Sequence, residues 1–158
     1  MAIVLEEAEG GSEVPRRAGD KLPAMHRKRL CIVMVCEDVA EATQVGQLVS
    51  QVNNGSLVTY RKAEDVLLNY PAGRVVLIIL AASQDPTMTG RTLAWMRHRW
   101  PHSPITVIGD TGGGELEIVA RSGGANFITR PVRPEEWAAM VNHVLAKKRT
   151  VTKEVELG

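Results

Sequence analysis

The sequence predicts an α/β domain: a three-layer sandwich in which a five-stranded parallel sheet carries helices on both faces. Three observations predict it. Short apolar runs alternate with segments of helical periodicity along the chain. The most apolar run, RVVLIIL (74–80), is continuous and rich in β-branched residues, so it needs cover on both faces, as a central parallel strand has. The segments between runs are long enough for crossover helices rather than hairpin turns.

In chain order, LCIVMVC (30–36) is too short for a helix and reads as a buried strand. Ala42, Val45, Leu48, Val49 and Val52 repeat at helical spacing, and Asn53-Asn54-Gly55 stops that helix. Ser56 to Tyr60 forms a second strand, and AEDVLLNY gives two helical turns ended before Pro71. The third strand is 74–80. A loop rich in Asp, Pro, Thr and Gly then leads to a helix from about Arg91 to Trp100, with Pro101 and Pro104 at its exit. Within it, Trp95 is assigned to the core and Trp100 to an edge. ITVIG (105–109) is the fourth strand, and EIVARSGG is the end of a short helix that Gly123 and Gly124 close. NFIT (126–129) is the fifth strand. The last helix begins near Pro134, with Glu135 and Glu136 in its first turn and Lys147 and Lys148 in its last, both matched to the helix dipole. Trp137, Met140, Val141, Val144 and Leu145 supply its apolar stripe.

The expected organisation is a basic, flexible N-terminal tail over 1–29, one domain over 30–148 and a short C-terminal tail over 149–158. Arg16, Arg17, Lys21, Arg27, Lys28 and Arg29 make the first tail basic against a chain of net charge +1. That near-neutral balance argues against general affinity for nucleic acid or an anionic membrane. No apolar run reaches the roughly 18 residues of a membrane span, and the first residues lack the basic start of a signal peptide. Cys31 and Cys36, five apart on one strand, leave it from opposite faces, so they are expected to stay free, as suits a reducing cytoplasm.

In an open parallel sheet, ligands sit beyond the carboxyl ends of the strands. Those ends bring Cys36, Glu37 and Asp38; Ala81 to Asp85; Gly109, Asp110 and Thr111; and Arg130 and Pro131 to one rim. Carboxylates there suit Mg²⁺, which wants oxygen ligands, unless they are simply solvent-facing loop acids. His26, His98, His102 and His143 show no metal-ligand spacing, and Gly112-Gly113-Gly114 lacks the context of a phosphate loop and reads as a flexible loop.

The stretches CIVMVCEDV, AASQDPTMTG, PITVIGD and GGANFITRPV, in that order, resemble the receiver domain of response regulators, from Leu30 to about Lys148. The resemblance implies a flavodoxin-like (βα)5 fold with strand order 2-1-3-4-5, and a role in two-component signalling. It also shows a degenerate phosphorylation pocket. The family's acceptor aspartate, eight residues before its glycine (here Gly90), falls on Ala82, which has no nucleophilic oxygen. The paired acids after the first strand fall on Cys36 and Glu37, with Asp38 beyond, which leaves a weak Mg²⁺ site at Glu37 and Asp38 at most. The switch hydroxyl falls on Gly109, and the phosphate-balancing lysine on Arg130, whose planar fork is not its equivalent. Pro131 is kept, and the resemblance implies a cis Arg130–Pro131 bond. Phe127 falls on the family's reporter aromatic.

The expectation is therefore a pseudo-receiver: no enzyme, no cofactor, acting as a protein-interaction module. The partner would be a signalling protein or a second copy, docked on the face of the fourth helix, fifth strand and fifth helix through Leu116, Phe127, Trp137 and Met140. With only ten residues after Lys148, an output would be another chain or the basic tail. Two rivals are an atypical phosphoreceiver using Asp85 or Asp110, and a regulatory domain binding a small anion through Arg130 and the glycine loop.

Overall fold

Side-chain branching and capping account for most of the architecture. The computed structural model describes residues 2–3, 29–52 and 55–157, with residues 2–3 and 146–157 described by their backbone. The elements are β1 (Ala2–Ile3), β2 (Leu30–Val35), α1 (Val39–Val49), β3 (Gly55–Tyr60), α2 (Ala63–Leu68), β4 (Arg74–Leu80), α3 (Pro86–Arg99), β5 (Ile105–Gly109), α4 (Glu115–Ser122), β6 (Asn126–Thr129) and α5 (Pro134–Leu157). They form one six-stranded sheet in the order β1-β3-β2-β4-β5-β6. From β2 to β6 all pairings are parallel, so these five strands have the expected order 2-1-3-4-5.

The alternation of side chains along β2 divides the core. Cys31, Val33 and Val35 enter one apolar layer with Val66, Leu93, Met96 and Ala120 from α2, α3 and α4. Ile32, Met34 and Cys36 enter the other with Val45, Val49, Trp137 and Val141 from α1 and α5. The cysteines thus lie on opposite faces, and both are free. The continuous apolar run of β4 departs from strict alternation. Its register against β2 shifts between Cys31 and Ile32, so Val76 is an extra residue and both Val76 and Leu77 face the α1/α5 layer. The bulge turns Ile78 and Leu80 toward the α2–α4 layer.

Three boundaries differ from expectation. Helix α3 begins at Pro86, not Arg91, because Asp85 caps it by accepting a hydrogen bond from Thr87 N at 3.0 Å and proline is favoured in the first turn. Helix α5 runs through the expected C-terminal tail to Leu157, since residues 146–157 contain no glycine or proline to stop it. At the other end, Ala2 and Ile3 pair antiparallel with Tyr60 and Thr59 on the outer edge of β3, within what was expected to be a tail. The rest of that basic segment, through Lys28, lies outside the described residues. No helix among the described residues is long and apolar enough to cross a membrane.

Candidate functional site

The carboxyl ends of β2, β4, β5 and β6 converge on Arg130, one residue past the end of β6. Its backbone N–H continues the ladder by donating to Gly109 O at 2.8 Å, and its bond to Pro131 is cis as expected. The guanidinium then spends its fork on the chain itself. Nε donates to Glu41 Oε2 at 2.7 Å and Nη2 to Glu41 Oε1 at 2.9 Å, a bidentate pair. Nη1 donates to Asp110 Oδ1 at 2.9 Å, and Nη2 also to the carbonyl of Ala81 at 2.7 Å. The Arg130 and Glu41 side chains are 23 % and 13 % exposed, so this pair is largely shielded from water, whereas Asp110 at 62 % is not. Hydrogen bonds to Glu41 hold the guanidinium pKa above its ordinary value against the opposing effect of burial.

Glu41 is the rim residue that the sequence reading missed. It stands in the first turn of α1, three residues after Asp38, and that spacing is the D-x-x-E pattern of a helix start. Asp38 behaves as a cap, accepting from Ala40 N at 2.9 Å. Glu41 turns away from the helix end toward Arg130. Cys36, buried beside them, has Sγ 3.2 Å from Asp38 O and 3.5 Å from Glu41 Oε1. Burial pushes its thiol up to about 11. Gln84, within the expected rim segment Ala81 to Asp85, ties two rim loops by accepting from Asp110 N at 2.9 Å.

The residues present do not fit the Mg²⁺ site of receiver domains. Glu37 is exposed, Asp38 is engaged with the helix end, and Cys36 and Ala82 supply no carboxylate. Among the described residues no three acidic, histidine or cysteine side chains are grouped to hold a metal. Ala82 is half-buried against the core. It lines a cavity of ≈ 120 Å³ together with Glu37, Lys62, Ala63, Met88 and Thr92 among others. Asp85 caps α3, and Asp110 pairs with Arg130, so each conceivable stand-in acceptor already has a structural partner. In the glycine loop, Gly113 N donates to Glu117 Oε1 at 2.8 Å, so this N–H is directed to a carboxylate of the chain.

Gly109 and Phe127 are coupled by shape. A Cβ placed on Gly109 would stand 2.5 Å from Phe127 Cζ and 3.1 Å from Leu116 Cδ2. The ring is buried at 8 % exposure and fills the space a switch hydroxyl would need. This corrects the expected docking residues. Leu116 and Phe127 are buried in the α2–α4 layer, Trp137 is buried in the α1/α5 layer and Met140 packs against it, so each turns into the core rather than outward. The Trp137 indole Nε1 lies buried without a hydrogen-bond partner among the described residues. On α4 the apolar residue left exposed is Ile118.

No family model matches the chain, and no curated protein does. Solved structures do. The BeF3-activated receiver domain of DrrB is 18 % identical, with a TM-score of 0.59 over 75 % of this chain and 98 % of that one. A response regulator from Thermotoga maritima gives 13 % identity and a TM-score of 0.63 over 73 % and 97 %. The orphan response regulator HP1043 of H. pylori gives 15 % and 0.58 over 76 % and 97 %. The chain has the receiver fold. At the rim of this fold a bidentate arginine–glutamate pair and a buried ring fill the space from within.

Proposed function

We propose that this receiver-fold chain works in signal transduction by binding a protein partner or a second copy of itself, without phosphoryl transfer and without catalysis. The observation that carries this reading is the saturation of Arg130. Its guanidinium is shared among Glu41, Asp110 and the Ala81 carbonyl, so a phosphoryl group would have to displace carboxylates the chain already supplies. An alanine at position 82 supports the same reading, since nucleophilic capture needs an oxygen there. The buried free thiols suit a reducing compartment such as the cytoplasm. The small-anion alternative loses its main cation for the same reason that the phosphoreceiver does: Arg130 is engaged.

Thermal unfolding in Mg²⁺ with and without beryllofluoride, an acyl-phosphate mimic, tests this directly. A ligand that binds the folded state raises the melting midpoint. The reading predicts no shift from either addition. A saturable, Mg²⁺-dependent rise would contradict it.

A further inference from the structure

Three of the six large apolar side chains that stand exposed among the described residues gather at one edge of the molecule. Leu68 is 84 % exposed, Leu67 50 % and Tyr70 47 %, and all three lie at the end of α2. Tyr70 meets Trp100 edge-on with ring centroids 6.0 Å apart, and the Arg99 guanidinium lies over both rings, at 4.8 and 5.1 Å. The ends of α2 and α3 therefore share one aromatic surface with a cation on it. The turn after α3 is tied to the start of β4, where Ser103 Oγ donates to Val75 O at 2.7 Å, which brings the exposed Arg74 to the same edge.

Positive charge predominates at this edge. From Val66 to Gly109 the only acid is Asp85, and it caps the opposite end of α3. Arg74, Arg91, Arg97 and Arg99 fall in the same stretch. Arg97 is committed to the carbonyls of Ser103, Gly123 and Gly124. No carboxylate among the described residues pairs with Arg74 or Arg99. The acids of α2, Glu64 and Asp65, stand in its first turn, Asp65 three residues before Leu68.

We propose that Leu67, Leu68, Tyr70 and Trp100, with Arg74 and Arg99 beside them, form a docking surface for an acidic amphipathic segment of a protein partner. This names a place and a partner chemistry for the binding role proposed above, and rests on it. Tyr, Trp and Arg are the residues that carry most binding energy at protein interfaces, and acidic groups on the partner complement the unpaired arginines. The two exposed leucines favour a protein over a nucleic acid, whose phosphates and bases would use the arginines and rings but leave the aliphatic side chains in water.

The test is titration of the full chain with a synthetic peptide of about 15 residues carrying Glu and Leu on opposite helical faces. Calorimetry and tryptophan fluorescence read the binding. The expected result is saturable binding, weakened about tenfold or more by Leu68→Ser or Arg99→Ala and weakened by salt. Arg74→Ala gives a third substitution, at an exposed position, should either variant melt below the parent chain. Absence of saturable binding overturns the proposal. So does equal affinity for the peptide with Lys in place of Glu, binding undiminished in all three variants, tighter binding of a single-stranded oligonucleotide, or self-association through Leu68. Failure of the peptide to bind, with beryllofluoride still inert, sinks this surface alone. A beryllofluoride response sinks the binding-only reading instead.

Discussion

Arg130 and Glu41, 89 residues apart in sequence, meet through two parallel hydrogen bonds of 2.7 and 2.9 Å at the rim of the sheet. The pair joins the first turn of α1 to the residue after β6, across the carboxyl ends of the parallel strands. Removing one partner of such a shielded pair leaves the other charge unpaired and poorly hydrated. Glu41→Gln is expected to lower unfolding free energy by about 2–3 kcal/mol, read from urea denaturation. Asp110→Asn, at the exposed end of the same guanidinium, should cost under about 1 kcal/mol.

Arg130→Lys keeps the charge and gives up the fork. A single ammonium cannot hold both Glu41 oxygens, Asp110 and the Ala81 carbonyl in the present geometry. The expected cost is about 1–2 kcal/mol, between those of the two carboxylate substitutions. A lysine variant as stable as the parent would mean that charge alone holds the rim.

Placing a hydroxyl side chain at position 109 should destabilise the domain. The Cβ of Gly109→Ser would meet the Phe127 ring at 2.5 Å, so the ring or β5 must move. Overpacking of this kind costs about 1–3 kcal/mol. Combining it with Phe127→Leu should recover part of the loss, and a double-mutant cycle in urea measures the coupling. Simple additivity would show that the ring does not hold this space.

The thiols set an alkaline limit on stability. Burial raises Cys31 and Cys36 from 9.0 to about 11, so the folded state keeps protons that the unfolded state sheds. Stability from this source is fully present below about pH 9 and is lost as pH rises toward 11. Urea midpoints measured between these limits should fall, and Cys31→Ala should flatten the fall. Neither thiol should react with a disulfide reagent at pH 8 until the chain is unfolded.

Much of the fold is written in local pattern. β-branched runs such as RVVLIIL declare buried strands, and the crossover lengths between them force parallel pairing. The bulge at Val76 is not visible in that run, because a strand apolar at every position shows no alternation to break. The start of α3 was legible in Asp85-Pro86, a cap followed by a favoured first residue, yet the loop-like composition of PTMTG obscured it. At the site, position in the fold identified Ala82, Gly109 and Arg130. Glu41 escaped because its partner is remote in sequence, and spacing along one helix carries no trace of a contact 89 residues away. Leu116, Phe127 and Trp137 were misread as a surface because apolar character alone does not say whether a residue faces the sheet or the solvent.

The central proposal is that the rim, filled by the chain's own Arg130, Glu41 and Phe127, takes no phosphoryl group. The most direct measurement is the intact mass of the purified chain after incubation with a small phosphodonor and Mg²⁺, alongside Asp85→Asn and Asp110→Asn. The account predicts an unchanged mass in all three. A gain of one phosphoryl group in the parent, lost in one of the variants, would contradict it and name the acceptor.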